Sequence, residues 1–171
     1  MQHNKNTEFV MYVDNFLEKN TLKSLQDNIS NTDHGEIWDS NGNLYGKRFT
    51  FPESFKKDPL LGLIKQYFFP HRNLVPISLH SHLRANAEKP LFHVDDQKGG
   101  CANFLLFVKG EPLLNNGTGF LFNEELSSHI GFVENRALFF DGKNNLHTDL
   151  QALGESSPRY SINIFYNKKY G

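Results

Sequence analysis

Apolar and polar positions follow two different rhythms along this chain. Over residues 16–29, Phe16, Leu17, Leu22, Leu25 and Ile29 recur at helical spacing with no Gly or Pro between them, which predicts an amphipathic helix. Asp58-Pro59 starts a second helix, a capping residue followed by Pro at the first helical position. Leu60, Leu61, Leu63, Ile64, Tyr67 and Phe68 give that helix a broad apolar stripe, and Pro70 ends it. Between the helices, the runs 36–38 and 44–49 flank Asp39-Ser40-Asn41-Gly42-Asn43, where the Asn-Gly step predicts a hairpin. A short β-like run, 9–13, precedes the first helix.

From Val75 onward the pattern shortens to β-like runs divided by Gly, Asn and Asp clusters: 75–85, 92–94, 102–108, 119–122, 129–133, 137–140 and 159–166. Many short strands without helix signals between them predict an antiparallel sandwich or barrel. The expected class is α+β, mainly β, with a jelly-roll core and two N-terminal helices as a support layer. No repeat, linker or low-complexity stretch divides the 171 residues, so a single domain over 1–171 is expected, with helices and hairpin in 1–70 and the β core in 75–167.

Two runs are informative about faces. In 159–166, Tyr160, Ile162, Ile164 and Tyr166 share one face, and Arg159, Ser161, Asn163 and Phe165 share the other. The second row faces either solvent or a polar cavity. In 101–108 both rows are mostly apolar, so this strand is expected to be buried on both sides. Asn103 then requires a partner, because an unpaired buried amide costs about 1–3 kcal/mol, and a ligand is one candidate.

Composition narrows the classes. Phe is unusually common, at 16 residues, which suits an aromatic β core. Eighteen basic residues balance 19 acidic ones with no basic block, so nucleic-acid polymers are disfavoured as partners. Cys101 is the single cysteine, which excludes an internal disulfide and reads as a small buried hydrophobe. With no apolar signal core at the N-terminus and no apolar run long enough to span a bilayer, a cytoplasmic location and no membrane partner are expected.

The chemistry concentrates at Leu91-Phe92-His93-Val94-Asp95-Asp96. Residues two apart on a strand point the same way, so the His93 imidazole and the Asp95 carboxylate converge and can fill two positions of a metal ion. Candidates for a third ligand include His80 and His82, another same-face pair on the 75–85 run, and His129 and His147 downstream. His147 closes the turn-rich stretch 141–147, and loops at the mouth of a sandwich commonly carry sites. Strand histidines satisfied by backbone are the plainer reading of His80 and His82. His3, His34 and His71 lie in polar stretches and read as surface. Two histidines and one carboxylate leave three coordination positions open, which suits non-haem Fe(II) and oxygen chemistry. Arg159 and Ser161 follow on one face, and a guanidinium matches a carboxylate bidentately.

In order, His93-Val94-Asp95, Gly117-Thr118-Gly119-Phe120-Leu121-Phe122, Glu134-Asn135-Arg136-Ala137-Leu138-Phe139-Phe140-Asp141-Gly142 leading to His147, and Arg159-Tyr160-Ser161-Ile162-Asn163-Ile164-Phe165-Tyr166 resemble the catalytic core of Fe(II)/2-oxoglutarate-dependent oxygenases, in particular the prolyl-hydroxylase-like branch. The resemblance covers residues 75–167. It implies a double-stranded β-helix, with His93, Asp95 and His147 as catalytic iron ligands and with Arg159 and Ser161 holding the distal carboxylate of 2-oxoglutarate. Such enzymes use O2 to convert 2-oxoglutarate into succinate and CO2 while hydroxylating an unactivated C–H bond; ascorbate is an accessory that the resemblance allows. Asp95 favours hydroxylation, since related halogenases lack the carboxylate. Relatives often place a co-substrate-binding tyrosine where Phe107 stands, which assigns Asn103 the task in its stead. Arg84 and Asn86 resemble pocket residues of some members, with a structural salt bridge or turn as the alternative. Trp38, Tyr45 and Arg48 read as hairpin packing or a substrate-covering flap. The expected substrate is a peptidyl residue such as proline. The alternatives are a free small molecule or nucleotide, or a non-catalytic cupin-like binding protein. Oligomeric state is left open.

Overall fold

In the computed structural model, residues 9–38, 42, 44–84, 92–95, 102–112, 116–122, 125–150 and 158–168 are described. Their strands are β1 (Val10–Val13), β2 (Gly35–Trp38), β3 (Leu44–Thr50), β4 (Leu74–Arg84), β5 (Ala102–Lys109), β6 (Gly117–Phe122), β7 (Glu125–Gly131), β8 (Ala137–Asp141), β9 (Leu146–Leu150) and β10 (Arg159–Lys168). Two helices, α1 (Lys19–Ser30) and α2 (Pro59–Phe68), and a 3-10 turn at Glu53–Lys57 complete the described elements. The chain is mainly β, as expected. No helix among the described residues is long and apolar enough to cross a membrane.

The strands form two antiparallel sheets. The larger runs β1-β8-β5-β10-β4-β3-β2, and the smaller runs β7-β6-β9. A single bridge, His93 to His147, adds the segment around His93 to the free edge of β9. The N-terminal third is not a layer apart from the β body. β1 pairs with β8, and the β2–β3 hairpin pairs through β3 with β4. Long-range pairing of this kind leaves no mark in the local apolar rhythm.

The large sheet is buried on both faces, each covered by a different layer. On one face Phe104, Leu106, Val108, Phe139, Ile162, Ile164 and Tyr166 pack with Ile29 of α1 and Ile64 and Phe68 of α2. On the other, Leu105, Phe107, Leu138 and Phe140 pack with Phe120 of β6 and with Phe132. Alternation along β5 and β8 therefore feeds two apolar layers.

Helix α2 starts where Asp58 caps it, with the carboxylate accepting from the Leu60 N–H at 2.8 Å. Helix α1 starts three residues later than its periodicity predicts. Asn15 has φ 54°, and Phe16 and Leu17 are held in non-helical backbone by Asn135. The Leu17 N–H donates to Asn135 Oδ1, and Asn135 Nδ2 donates to the Leu17 carbonyl, both at 2.8 Å. Phe16 and Leu17 still enter the core. Residues 39–41 and 43 of the expected hairpin turn, and Asn86 and Cys101, lie outside the described residues.

Phe139 is fully buried, and its ring meets those of Phe9, Phe68, Phe69 and Tyr166. Phe139→Ala is expected to destabilise the chain by about 3–5 kcal/mol, measured by urea unfolding. A loss below about 1 kcal/mol would show that this layer is not the main core.

Candidate metal centre and adjoining cavity

His93 and His147 face each other across two strands as a hydrogen-bonded pair. The His93 N–H donates to the His147 carbonyl at 3.0 Å, and the His147 N–H donates back to the His93 carbonyl at 2.9 Å. Their rings stand 4.5 Å apart. Asp95, two residues beyond His93, is turned to the same point, and its N–H donates to the Gly142 carbonyl at 2.9 Å. Gly142 allows this close approach: a Cβ there would lie 2.8 Å from Asp95 Oδ2 and closer still to the Asn103 amide. His147 thus sits on strand β9, not in the loop that the turn-rich stretch predicts; the turn ends at Asn145.

The donor atoms of His93, Asp95 and His147 all lie within 4.8 Å of one another. Asp95 Oδ2 is 3.2 Å from His147 Nε2, and Oδ1 is 3.8 Å from His93 Nε2. Ligands at right angles around one ion, at about 2.1 Å from it, are about 3 Å apart, so small side-chain rotations complete a facial set. His147 Nδ1 contacts the Asn145 carbonyl at 2.8 Å, which assigns the proton to Nδ1 and leaves the Nε2 lone pair for a metal. Burial alone would lower the His147 pKa, but the hydrogen bond and charge of Asp95 outweigh it and hold it above the ordinary value. For Asp95 burial opposes ionisation, and the His147 hydrogen bond, the charges of both histidines and Asn103 keep its carboxyl below the usual range. The donor set fits a divalent transition metal.

Asn103 is 5% exposed, and its Nδ2 donates to Asp95 Oδ2. Its NH2 group is thereby turned to the ligand carboxylate. In this arrangement Asn103 orients the Asp95 carboxylate. Phe107 is fully buried against Phe132, at 4.8 Å between rings.

A cavity of about 150 Å³ adjoins the triad. Its polar wall includes Arg48, His82, Arg84, Asp149, Ser161 and Asn163. The row of β10 carrying Ser161, Asn163 and Phe165 lines this cavity, while Ile162 and Ile164 face the helices. Arg159 begins that row but does not line the cavity. It is 2% exposed, donates through Nη1 to Asn116 Oδ1 at 2.7 Å and the Gly117 carbonyl at 3.2 Å, and lies over the rings of Phe107 and Phe132. Its Nη2 meets Asp149 Oδ1 at 2.5 Å, and Arg84 Nη2 meets Asp149 Oδ2 at 3.1 Å. Burial would raise the Asp149 pKa, but Arg159 and Arg84 hold its carboxyl far below the usual range.

His80 accepts or donates at Nδ1 with the Thr50 hydroxyl, at 3.0 Å. His82 belongs to the cavity wall, and its Nε2 has no partner among the described residues. His34 is not a surface residue: it is 7% exposed and bonds Ser81 Oγ through Nε2 at 2.9 Å. Trp38 is 56% exposed at the end of β2. The role of Asp149 went unread in the sequence, although its i+2 spacing from His147 places both on one face of β9.

No family model matches this sequence, and no curated protein matches it. Solved structures do match in shape. The fold is similar to that of solved Fe(II)/2-oxoglutarate-dependent oxygenases. A 2OG-Fe(II) oxygenase family oxidoreductase from Burkholderia pseudomallei superposes with TM-score 0.72 at 9% identity, over 94% of this chain and 88% of that one. A prolyl hydroxylase from Trichoplax adhaerens, in complex with a hypoxia inducible factor peptide fragment, gives 0.70 at 15% identity, over 96% and 86%. HygX from Streptomyces hygroscopicus, with nickel, 2-oxoglutarate and hygromycin B bound, gives 0.68 at 10% identity, over 96% and 84%.

Burial first, and then the charge of Arg84, lowers the His82 pKa to about 3; Asp149 opposes this, while His80 and Arg48 add to it. The unfolded chain therefore binds a proton at His82 that the folded chain refuses between pH 6.5 and about 3. This stabilisation is complete above pH 6.5 and is lost as pH falls. The Tm of the metal-free protein is expected to drop more steeply between pH 7 and 5 than that of His82→Gln, by differential scanning calorimetry. Parallel pH profiles would show that His82 is not held neutral.

Proposed function

We propose that this chain is an Fe(II)- and 2-oxoglutarate-dependent dioxygenase that hydroxylates an unactivated C–H bond. The observation that carries the proposal is the convergence of His93, Asp95 and His147 within 4.8 Å, beside a polar cavity lined by arginine and serine. The shared fold of oxygenases that bind 2-oxoglutarate, HygX among them, supports it. In this reading the two sheets are the halves of a double-stranded β-helix, the helices against the larger sheet support it, and 1–171 is one domain.

Iron bound at the triad supplies the redox chemistry, in which 2-oxoglutarate, O2 and R–H become succinate, CO2 and R–OH. The chain's own part is to bind and orient. His147 offers Nε2 because its Nδ1–H is turned to Asn145, and Asn103 fixes the plane of the Asp95 carboxylate. Ser161 and the arginine end of the cavity receive the far carboxylate of 2-oxoglutarate, which orients its 2-oxo acid head toward the triad. Phe140, whose ring stands 4.9 Å from that of His147, and Leu105 line the same cavity with apolar surface and limit water there. The prolyl-hydroxylase-like branch is the nearest reading of the motif set, with a peptidyl substrate and a cytoplasmic location.

Anaerobic addition of Fe(II) and 2-oxoglutarate is expected to produce a visible charge-transfer band in the wild type and none in His93→Ala or His147→Ala. On admitting oxygen the wild type is expected to form succinate. No band together with no succinate would sink the proposal.

A further inference from the structure

A second cavity, of about 380 Å³, lies on the opposite face of the large sheet from the metal centre. Its floor is Leu79 of β4 and Ile162 of β10, both buried. Ser161 and Asn163, on either side of Ile162, face the metal-side cavity, so a single sheet separates the two spaces. The helices leave the gap between them. Helix α1 enters the core through Ile29, and α2 enters it through Ile64 and Phe68. Leu25 of α1, Leu60 of α2 and Phe51 after β3 are only partly buried, and they line the gap without filling it.

Protein interiors normally close up to the density of organic crystals, so an apolar space of this size is an exception. Its size and lining are those of a small-molecule site: mostly apolar surface with a few polar groups. The polar groups are confined to the rim, where the 3-10 turn and the start of α2 contribute Ser54, Lys57 and Asp58. Most of the charge there is already committed. Glu53 pairs with Lys56, and the Asp58 carboxylate accepts from the Leu60 N–H at 2.8 Å. Lys57 has no ion pair among the described residues. It is exposed, so its ammonium stays in water at the mouth while its stem borders the apolar wall. The opening therefore presents one uncommitted cation beside an apolar interior.

We propose that this cavity binds a monocarboxylic acid with an apolar chain, the chain lying against Leu79 and Ile162 and the carboxylate at Lys57. At the roughly 30 Å³ that a water takes in the liquid, the cavity holds about a dozen non-hydrogen atoms, the size of decanoate. Burial of the chain supplies most of the affinity, about 4-fold per methylene. The ion pair at the exposed rim adds up to about 5-fold. None of the residues lining this cavity lines the metal-side one, so binding requires neither metal nor 2-oxoglutarate.

The test titrates the full chain with decanoate, octanoate and decanol, each below its micelle-forming concentration, and follows the methyl groups by NMR. Decanoate is expected to give saturable shifts at the methyls of Leu25, Leu60, Leu79 and Ile162. Octanoate, two methylenes shorter, is expected to bind about 10- to 20-fold more weakly. Lys57→Ala is expected to weaken decanoate about 2- to 5-fold and to leave decanol unchanged. Leu79→Phe fills the floor and is expected to abolish binding of both. A larger side chain in a packed core can unfold a chain. Ser54→Trp therefore closes the mouth from an exposed position, with the same loss expected and with circular dichroism confirming the fold. No saturable shift in the wild type, shifts confined to methyls outside this cavity, or undiminished binding in Ser54→Trp would each overturn the proposal. So would a Lys57→Ala chain that binds decanoate as tightly as the wild type, or that loses decanol equally.

Discussion

Two reciprocal backbone hydrogen bonds, between His93 and His147, hold the candidate site together. An antiparallel pair of this kind fixes two residues directly opposite each other, so both imidazoles leave adjacent strands on one face. β9 is paired on its other side with β6, and β6 with β7, so the His147 position inherits the stiffness of a sheet. Among the described residues, the segment carrying His93 and Asp95 makes one β-bridge, to His147. It is tied by the His147 pair and by the bond from Asp95 N–H to the Gly142 carbonyl, both of which end on the same β8–β9 turn and strand. The geometry of the three donor groups therefore depends on how this short stretch of chain lies on the β8–β9 turn and strand.

The large sheet allows the rest of the site to be polar. Its outer face buries Phe104, Phe139, Ile162, Ile164 and Tyr166 under the helices, which supplies the apolar burial that a small β body needs. Its inner face is then released from that duty at the β10–β4–β3 side. Ser161, Asn163, His82, Arg84 and Arg48 line a cavity there instead of filling it. Toward β5 and β8 the same inner face turns apolar again, through Leu105, Phe107, Leu138 and Phe140. Polar and apolar halves meet at the triad, where His147 touches Phe140 on one side and Asp95 on the other.

Local rhythm in the sequence was enough for α2, for the hairpin arms and for the facing of β10, because each depends on neighbours within a few residues. It failed where a distant residue decides. The start of α1 is set by Asn135, 118 residues away, whose amide holds Leu17. Asn135 itself has φ 65°, a conformation that Asn tolerates and that no pattern around 16–29 reveals. The order His-x-Asp, then His, named three residues whose donor atoms lie within 4.8 Å of one another. Which arginine reaches the cavity could not be read, since Arg84, Asp149 and Arg159 come from three strands and meet only through pairing across the sheets. The hint available was spacing: Arg84 shares a face with His82 and His80, and Asp149 shares one with His147.

The energetics of the Arg84–Asp149–Arg159 cluster bear on why it is there. Desolvating such groups costs several kcal/mol per ion, and replacement of a buried ionic triad by apolar side chains of similar volume is often neutral or stabilising. The surrounding layer is rich in phenylalanine, and Phe107 and Phe132 already frame Arg159, so an apolar filling was within reach of this sequence. Stability alone is a weak reason for three charges at this place. Among the described residues, two guanidiniums share the Asp149 carboxylate, and Arg48 stands along the same wall. Charge in the wall of a cavity acts on a bound ion more strongly than the same charge at the surface.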